Sequence, residues 1–290
     1  MTGEWLTVRT PDGRELEVLR HGADGRALVF HVGTPNAAAE LAPLVRAIAG
    51  RGWQLLTYSR PGYAGSTRHE GRSVADAAAD VAAILDQLEI DRFLALGWSG
   101  GGPHALACAA LLPERCDAAA TLAGVAPYDA EGLDFLAGMG PENVEEFGAA
   151  ARSRADLDAF LERFAQGLAG VAPEGVAAGL GELIDDVDRV ALESGELAEM
   201  LATGIRRAVS AGIDGWRDDD LAFVRHWGFD LGAITVPVSV WQGAHDKMVP
   251  FAHGRWLAAH IPGAREHLYD DEGHLSLALQ MPRILDDLAS

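Results

Sequence analysis

The sequence predicts an α/β fold: a mostly parallel central sheet with helices on both faces. Two observations carry this. Short apolar runs alternate with segments of helical spacing up to residue 124, and the alternation resumes near 236. Parallel strands must be joined by crossovers, and crossover helices cover the sheet faces they pack on. Between the two stretches, residues 125–230 show helical periodicity alone. The expected organisation is therefore a core of 1–124 and 231–290, with a helical cap at 125–230 inserted after the sixth strand.

Each element has its own signal. "WLTVRT" (5–10) and "ELEVLRHG" (15–22) alternate apolar and polar residues around the turn "PDG", which reads as a β-hairpin. "ALVFHV" (27–32), "WQLLTY" (53–58), "RFLALG" (92–97) and "CDAAATLAG" (116–124) are short apolar runs of the kind buried strands show. Helical spacing fills the gaps at 36–52, at 73–90 with Ser73 as the expected N-cap, and at 101–114. "VPVSVWQG" (236–243) and "REHLYD" (265–270) complete the strands, and 251–260 and 274–290 the helices. In the insertion, "DLDAFLERFAQGL" and "ELAEMLATGIRRAV" are amphipathic helices, and "GWRDDDLAFVRHWGFD" (215–230) reads as a packed hinge back to the core.

Composition narrows the function classes. The chain has 290 residues, 49% hydrophobic and 23% charged, an ordinary globular balance. A net charge of −20 repels phosphate backbones and anionic membranes, so neither nucleic acid nor membrane is an expected partner. Residues 129–230 hold 22 acidic side chains and 8 arginines, hence −14 of the total. The N-terminus shows no basic start followed by an apolar run, so a cytoplasmic protein is expected. Two cysteines, Cys108 and Cys116, make neither a disulfide framework nor a metal site; buried thiols are expected.

One corner stands out. In "ALGWSGGGPHALA" (95–107), Ser99 sits where a strand meets a helix, between Gly97 and Gly101. The G-x-S-x-G pattern lets strand and helix backbones pass closely and lifts the serine hydroxyl clear of the sheet. A hydroxyl is a poor nucleophile until a base takes its proton, and the base needs an orienting acid. "WQGAHDKMVP" places Asp246 just past one strand, and "YDDEGHLSLA" places His274 past the last. Strand ends of a parallel sheet meet at one edge, so Ser99, Asp246 and His274 can converge there. His104, His245 and His267 compete as bases, and Asp129, Asp270 and Asp271 as acids. Two backbone N–H groups should face the developing oxyanion: that of Gly100, and that of Thr34 in the loop "HVGTPN" (31–36), which Gly33 and Pro35 shape while His31 braces it. Gly33 and Trp98 are expected to wall the substrate pocket.

These landmarks together resemble the α/β-hydrolase superfamily over essentially the whole length. "HVGTPN" is similar to its HG-x-P oxyanion loop with Val32 interposed. "SRPGYAGS" (59–66) is similar to its D-R-P-G-x-G-x-S loop, with Ser59 for Asp and Ala64 for Gly. The resemblance implies a serine hydrolase that needs no metal or organic cofactor and acts on a small molecule. A serine rather than an aspartate at the elbow disfavours haloalkane and epoxide chemistry. A small ester cleaved through an acyl-enzyme is the expected reaction. One alternative is an aminopeptidase like the proline iminopeptidases, with acidic cap residues binding an N-terminal amine, although "GWSGGG" departs from that family's G-G-S-W-G. Another is a hydrolase fold used as a ligand receptor or a non-hydrolytic catalyst.

Overall fold

The computed structural model describes residues 3–193 and 195–290. Eight strands form one sheet in the order β1-β2-β4-β3-β5-β6-β7-β8. The opening alternations give β1 (Gly3–Arg9) and β2 (Glu15–His21), an antiparallel hairpin that joins the sheet through β2 and β4 (Gln54–Tyr58). Every later pairing is parallel, through β3 (Ala27–His31), β5 (Phe93–Trp98), β6 (Cys116–Leu122), β7 (Val238–Gly243) and β8 (Arg265–Tyr269).

The inner strands are buried on both faces, and their side chains divide between two cores with a period of two. Phe93 and Ala95 pack on one face with Leu106 and Leu257, carried by α3 (Gly101–Leu111) and α10 (Phe251–His260). Leu94 and Leu96 pack on the other with Ile48 and Leu285, carried by α1 (Ala42–Ala49) and α11 (Met281–Leu288).

Three helix boundaries differ from the sequence pattern. The segment 36–52 is helical only from Ala42, because Pro43 lacks an N–H and its ring would clash with a preceding helical turn, so it is accommodated only in the first turn. Ala37, Ala38 and Ala39 instead run buried and non-helical, with the Ala37 N–H donating to the Gly204 carbonyl. Ser73 does not cap α2 (Asp76–Gln87). Its N–H and hydroxyl both donate to the Asp76 carboxylate, which fastens the turn ahead of the helix. The last helical stretch divides into a 3₁₀ turn (Ser276–Gln280) and α11, with Pro282 in the first turn of α11.

Between β6 and β7 run α4 (Pro141–Arg152), α5 (Arg154–Leu168), α6 (Val176–Leu180), α7 (Asp186–Leu192), α8 (Glu196–Val209) and α9 (Asp214–Phe223). Phe160, Leu161, Val209 and Trp216 give these helices a core of their own. Many of their acids face arginines: Arg163 pairs with Glu145, Arg152 with Asp156 and Arg217 with Asp158. No helix among the described residues is long and apolar enough to cross a membrane. Cys108 and Cys116 are free and buried, and burial pushes both thiols above their usual range.

Candidate active site

Ser99 follows the last residue of β5 with φ +55°, a left-handed conformation rare for a non-glycine residue. Its N–H donates to the Leu122 carbonyl at 2.8 Å, and its own carbonyl accepts from Gly102 N–H at 2.9 Å. Close approach explains the flanking glycines: a Cβ on Gly97 would overlap the Gly101 carbonyl, and one on Gly101 would overlap the His31 carbonyl.

His274 and Asp246 meet beside it. The His274 Nδ1 lies 2.8 Å from Asp246 Oδ2. With Nδ1–H donating, Nε2 is the acceptor nitrogen of the ring. Asp246 is held by four donors in all, since Oδ1 accepts from the Met248 and Val249 N–H groups and Oδ2 also from Gln242 Nε2. Burial works against a charged His274, but the Asp246 carboxylate outweighs it and raises the ring above its usual 6.5. Trp98 lies along the same ring and donates its Nε1–H to the His274 carbonyl at 3.3 Å.

The competitors have other partners. His104 accepts no role at the cavity: its Nδ1–H donates to the Gly100 carbonyl at 2.8 Å, and burial holds the ring neutral. His31 touches the Cys108 sulfur at 3.7 Å, with burial and then Arg60 lowering it to about 3. His245 pairs with Asp185, and His267 stacks on Trp241. Asp129 lines a separate surface cleft with Trp227 and Trp256.

Ser99 opens onto two lobes. The larger, about 530 Å³, is lined by His274, Trp98, Gly33 and the apolar side chains Leu201, Ile205 and Leu275. The smaller, about 360 Å³, runs past Gly100 toward Glu146, Asp220, Asn143 and Phe223. Thr34 borders both.

The residues that steady these loops escaped the sequence pattern. Asp188, in α7, is buried and accepts the backbone N–H groups of His274, Leu275 and Ser276 at 2.8–3.0 Å. Asp219, in α9, accepts from Thr34 Oγ1 at 2.8 Å, from Tyr63 OH at 2.9 Å and from the guanidinium of Arg60, and it pairs with Arg72 at 2.7 Å. Arg60 in turn donates to the carbonyls of Val32 and Gly33. Burial opposes charge on Asp219, yet Arg60 and Arg72 hold it far below the usual carboxylate range. Trp216, Phe223 and Trp227 are packed as expected, but the charged run "RDDD" (217–220) beside them is buried throughout as well. A signal was present: three consecutive residues of a helix span about 200° of its circumference, so three acids in a row cannot all share the solvent face of a helix packed on one side.

Residues 26–169 match the family model for the alpha/beta hydrolase fold. The chain belongs to the α/β-hydrolase superfamily. It is 26% identical over 268 residues to the uncharacterized hydrolase YcgS of Bacillus subtilis, covering 92% of this chain and 90% of that one. It is 29% identical over 242 residues to a pimeloyl-[acyl-carrier protein] methyl ester esterase of Aromatoleum aromaticum, covering 83% and 86%. Among solved structures, a hydrolase from Pseudomonas aeruginosa superposes over the full length of both chains with a TM-score of 0.67 at 23% identity. The family match and the named hydrolase relatives place the chain among the hydrolase-fold enzymes.

Proposed function

We propose that this hydrolase cleaves a small carboxylic ester through a serine acyl-enzyme. Ser99 Oγ attacks the carbonyl carbon while His274 Nε2 takes its proton. The N–H groups of Gly100 and Thr34 stabilise the oxyanion, and Asp246 orients the ring and stabilises its charged form. The protonated ring then delivers its proton to the leaving alcohol. Water, activated by the same ring, hydrolyses the acyl-enzyme and restores Ser99. No step calls for a metal or organic cofactor. Helices α4 to α9 act as the cap, and Trp98 and Gly33 wall the lobe beside His274.

The single observation that supports this most is the strained Ser99 at one cavity with a histidine already paired to a buried carboxylate. One relative is named as a methyl ester esterase, which is in keeping with an ester substrate. Labelling of purified protein by a fluorophosphonate, followed by peptide mapping, tests the reading. The modified residue is Ser99, and labelling disappears in Ser99→Ala. Label on another serine, or persistent ester turnover by that variant, rejects the assignment.

The N-terminal peptide bond is the second reading, and one observation favours it. Although many acids of the insertion pair with arginines at the surface, Glu146 and Asp220 line the smaller lobe. Comparing short p-nitrophenyl esters with prolyl-naphthylamide separates the two readings; hydrolysis of neither points to a receptor or a non-hydrolytic catalyst.

A further inference from the structure

The smaller lobe contains an uncompensated acidic pair. Asp220, in α9, is 1% exposed, and neither of its carboxyl oxygens receives a hydrogen bond from a protein donor among the described residues. Glu146, in α4, approaches it closely enough for one proton to bridge the two carboxyls, and accepts from Trp216 Nε1 at 2.6 Å. No lysine, arginine or histidine among the described residues forms an ion pair with either acid. Arg72, whose charge reaches Asp220, is already paired with the adjacent Asp219, as is Arg60. Burial raises both acids above the usual carboxylate range, and the nearby Glu146 raises Asp220 further, while the hydrogen bonds with Asp220 and Trp216 pull Glu146 part of the way back. Buried acceptors left without donors are costly. Here they border a cavity that also touches Ser99 and Gly100, so a ligand can supply what the protein does not.

The two lobes also differ in their access to the base. His274 lines the larger lobe and not the smaller one. The leaving alcohol must receive its proton from His274, so it belongs on the larger, apolar side. The acyl chain is then directed past Gly100 into the smaller lobe.

We infer that Glu146 and Asp220 form an acyl-side subsite for a short acyl group that ends in a hydrogen-bond donor, a hydroxyl or an ammonium. This rests on the assignment of Ser99 and His274 given above. The subsite makes no covalent step of its own. It selects among esters by rewarding a donor a few bonds from the carbonyl and by rejecting a methyl at the same place, because a methyl leaves the Asp220 oxygens unpaired.

An isosteric series tests it: methyl butanoate, methyl 3-hydroxypropanoate and methyl 3-aminopropanoate, followed by acid release at constant pH. The expected result is that a donor-bearing ester exceeds butanoate in kcat/KM by roughly 10–100-fold, the range for a hydrogen bond to a charged or buried carboxyl. Preference for the hydroxy ester identifies a neutral donor, and preference for the amino ester a cation. In Asp220→Asn and Glu146→Gln the ratio to butanoate falls about tenfold or more. Because the ratio is taken within each variant, a general loss of active protein does not affect it. The three esters are also titrated by calorimetry into Ser99→Ala, where binding preference is read without turnover. Equal kcat/KM values for the three esters in the unmodified protein overturn the subsite. So does a ratio that survives both acid substitutions, or the lack of any binding preference in Ser99→Ala. Failure of the Ser99 assignment shows itself differently, as no acid release from any of the three esters and no fluorophosphonate label.

Discussion

The sheet edge and the helices inserted between β6 and β7 both bring buried carboxylates close to Ser99, but they do so on different terms. At the sheet edge, Asp246 sits in a tight loop after β7, and its partners are a side-chain amide, two local backbone N–H groups and the His274 ring. The loop's own geometry satisfies it. The inserted helices supply Asp188, Asp219 and Asp220, whose partners are distant in sequence or missing altogether. Asp219 and Asp220 are neighbours in one helix, yet the first is held ionised by two arginines and the second is pushed toward its neutral form by burial and Glu146. The contrast teaches that the sheet edge carries the groups proposed to react, while the insertion braces their loops and lines the cavity beside them.

Breaking the sheet-edge side should have the largest effect. Ser99→Ala is expected to lower kcat by roughly 10⁴-fold or more, and adding His274→Ala should make it scarcely worse, since triad members act as a unit. Asp246→Asn should cost roughly 10³–10⁴-fold in acylation by disturbing the tautomer of His274, whereas Asp129→Asn should leave acylation unchanged. Single-turnover kinetics with an activated ester measure both, and the reverse ranking would move the acid to the β6 end.

The insertion should reveal itself first in stability. Asp219→Asn leaves Arg60 and Arg72 buried without their counter-charge, a loss of about 3–5 kcal/mol. Asp188→Asn retains one acceptor oxygen for the His274 loop and should cost about 1–3 kcal/mol. Chemical denaturation of the two variants ranks them; equal losses would mean that Asp219 is not the keystone of the Thr34 loop.

A pH profile sharpens the same division. Asp246 raises His274, and in the proposed mechanism only the neutral ring accepts the Ser99 proton. The expected kcat/KM therefore falls as pH drops through a midpoint above 6.5, the usual histidine value. In Asp246→Asn the residual activity should keep its acid limb at lower pH. An unchanged midpoint in that variant would remove Asp246 from the ring's environment.

The smallest effect concerns the surface charge of the insertion. Exposed charges are screened over about 8–10 Å near physiological salt. Added salt should leave kcat/KM for a neutral ester unchanged, because the acids of the insertion's surface keep the protein soluble and do not steer such a substrate. An amine substrate that loses rate with salt while the ester does not would assign that surface a steering role.

Much of this was legible in one dimension. Apolar runs of four to seven residues bounded by turns marked the strands, because a strand covered on both faces has no polar side to show. The elbow was legible because its glycines are imposed locally, by backbones that pass too close for a Cβ. Asp246 and His274 were legible because parallel strands deliver their C-terminal loops to one edge whatever the intervening chain does. Helix starts were less so, since Ala37–Ala39 have every local reason to be helical and are held non-helical by Gly204 and Ser59 across the fold.

What the sequence determined by itself was thus the alternating sheet, the corner at Ser99 and the order of its two partners. Only the tertiary structure decided which acids are consumed as counter-charges and which remain unpaired at the cavity. The physical reason is that a carboxylate's role depends on its dielectric surroundings and on the nearest cation. For Asp219 that cation is Arg60, 159 positions away, whereas Asp220 has no hydrogen-bond donor among the described residues and feels only the charge of Arg72.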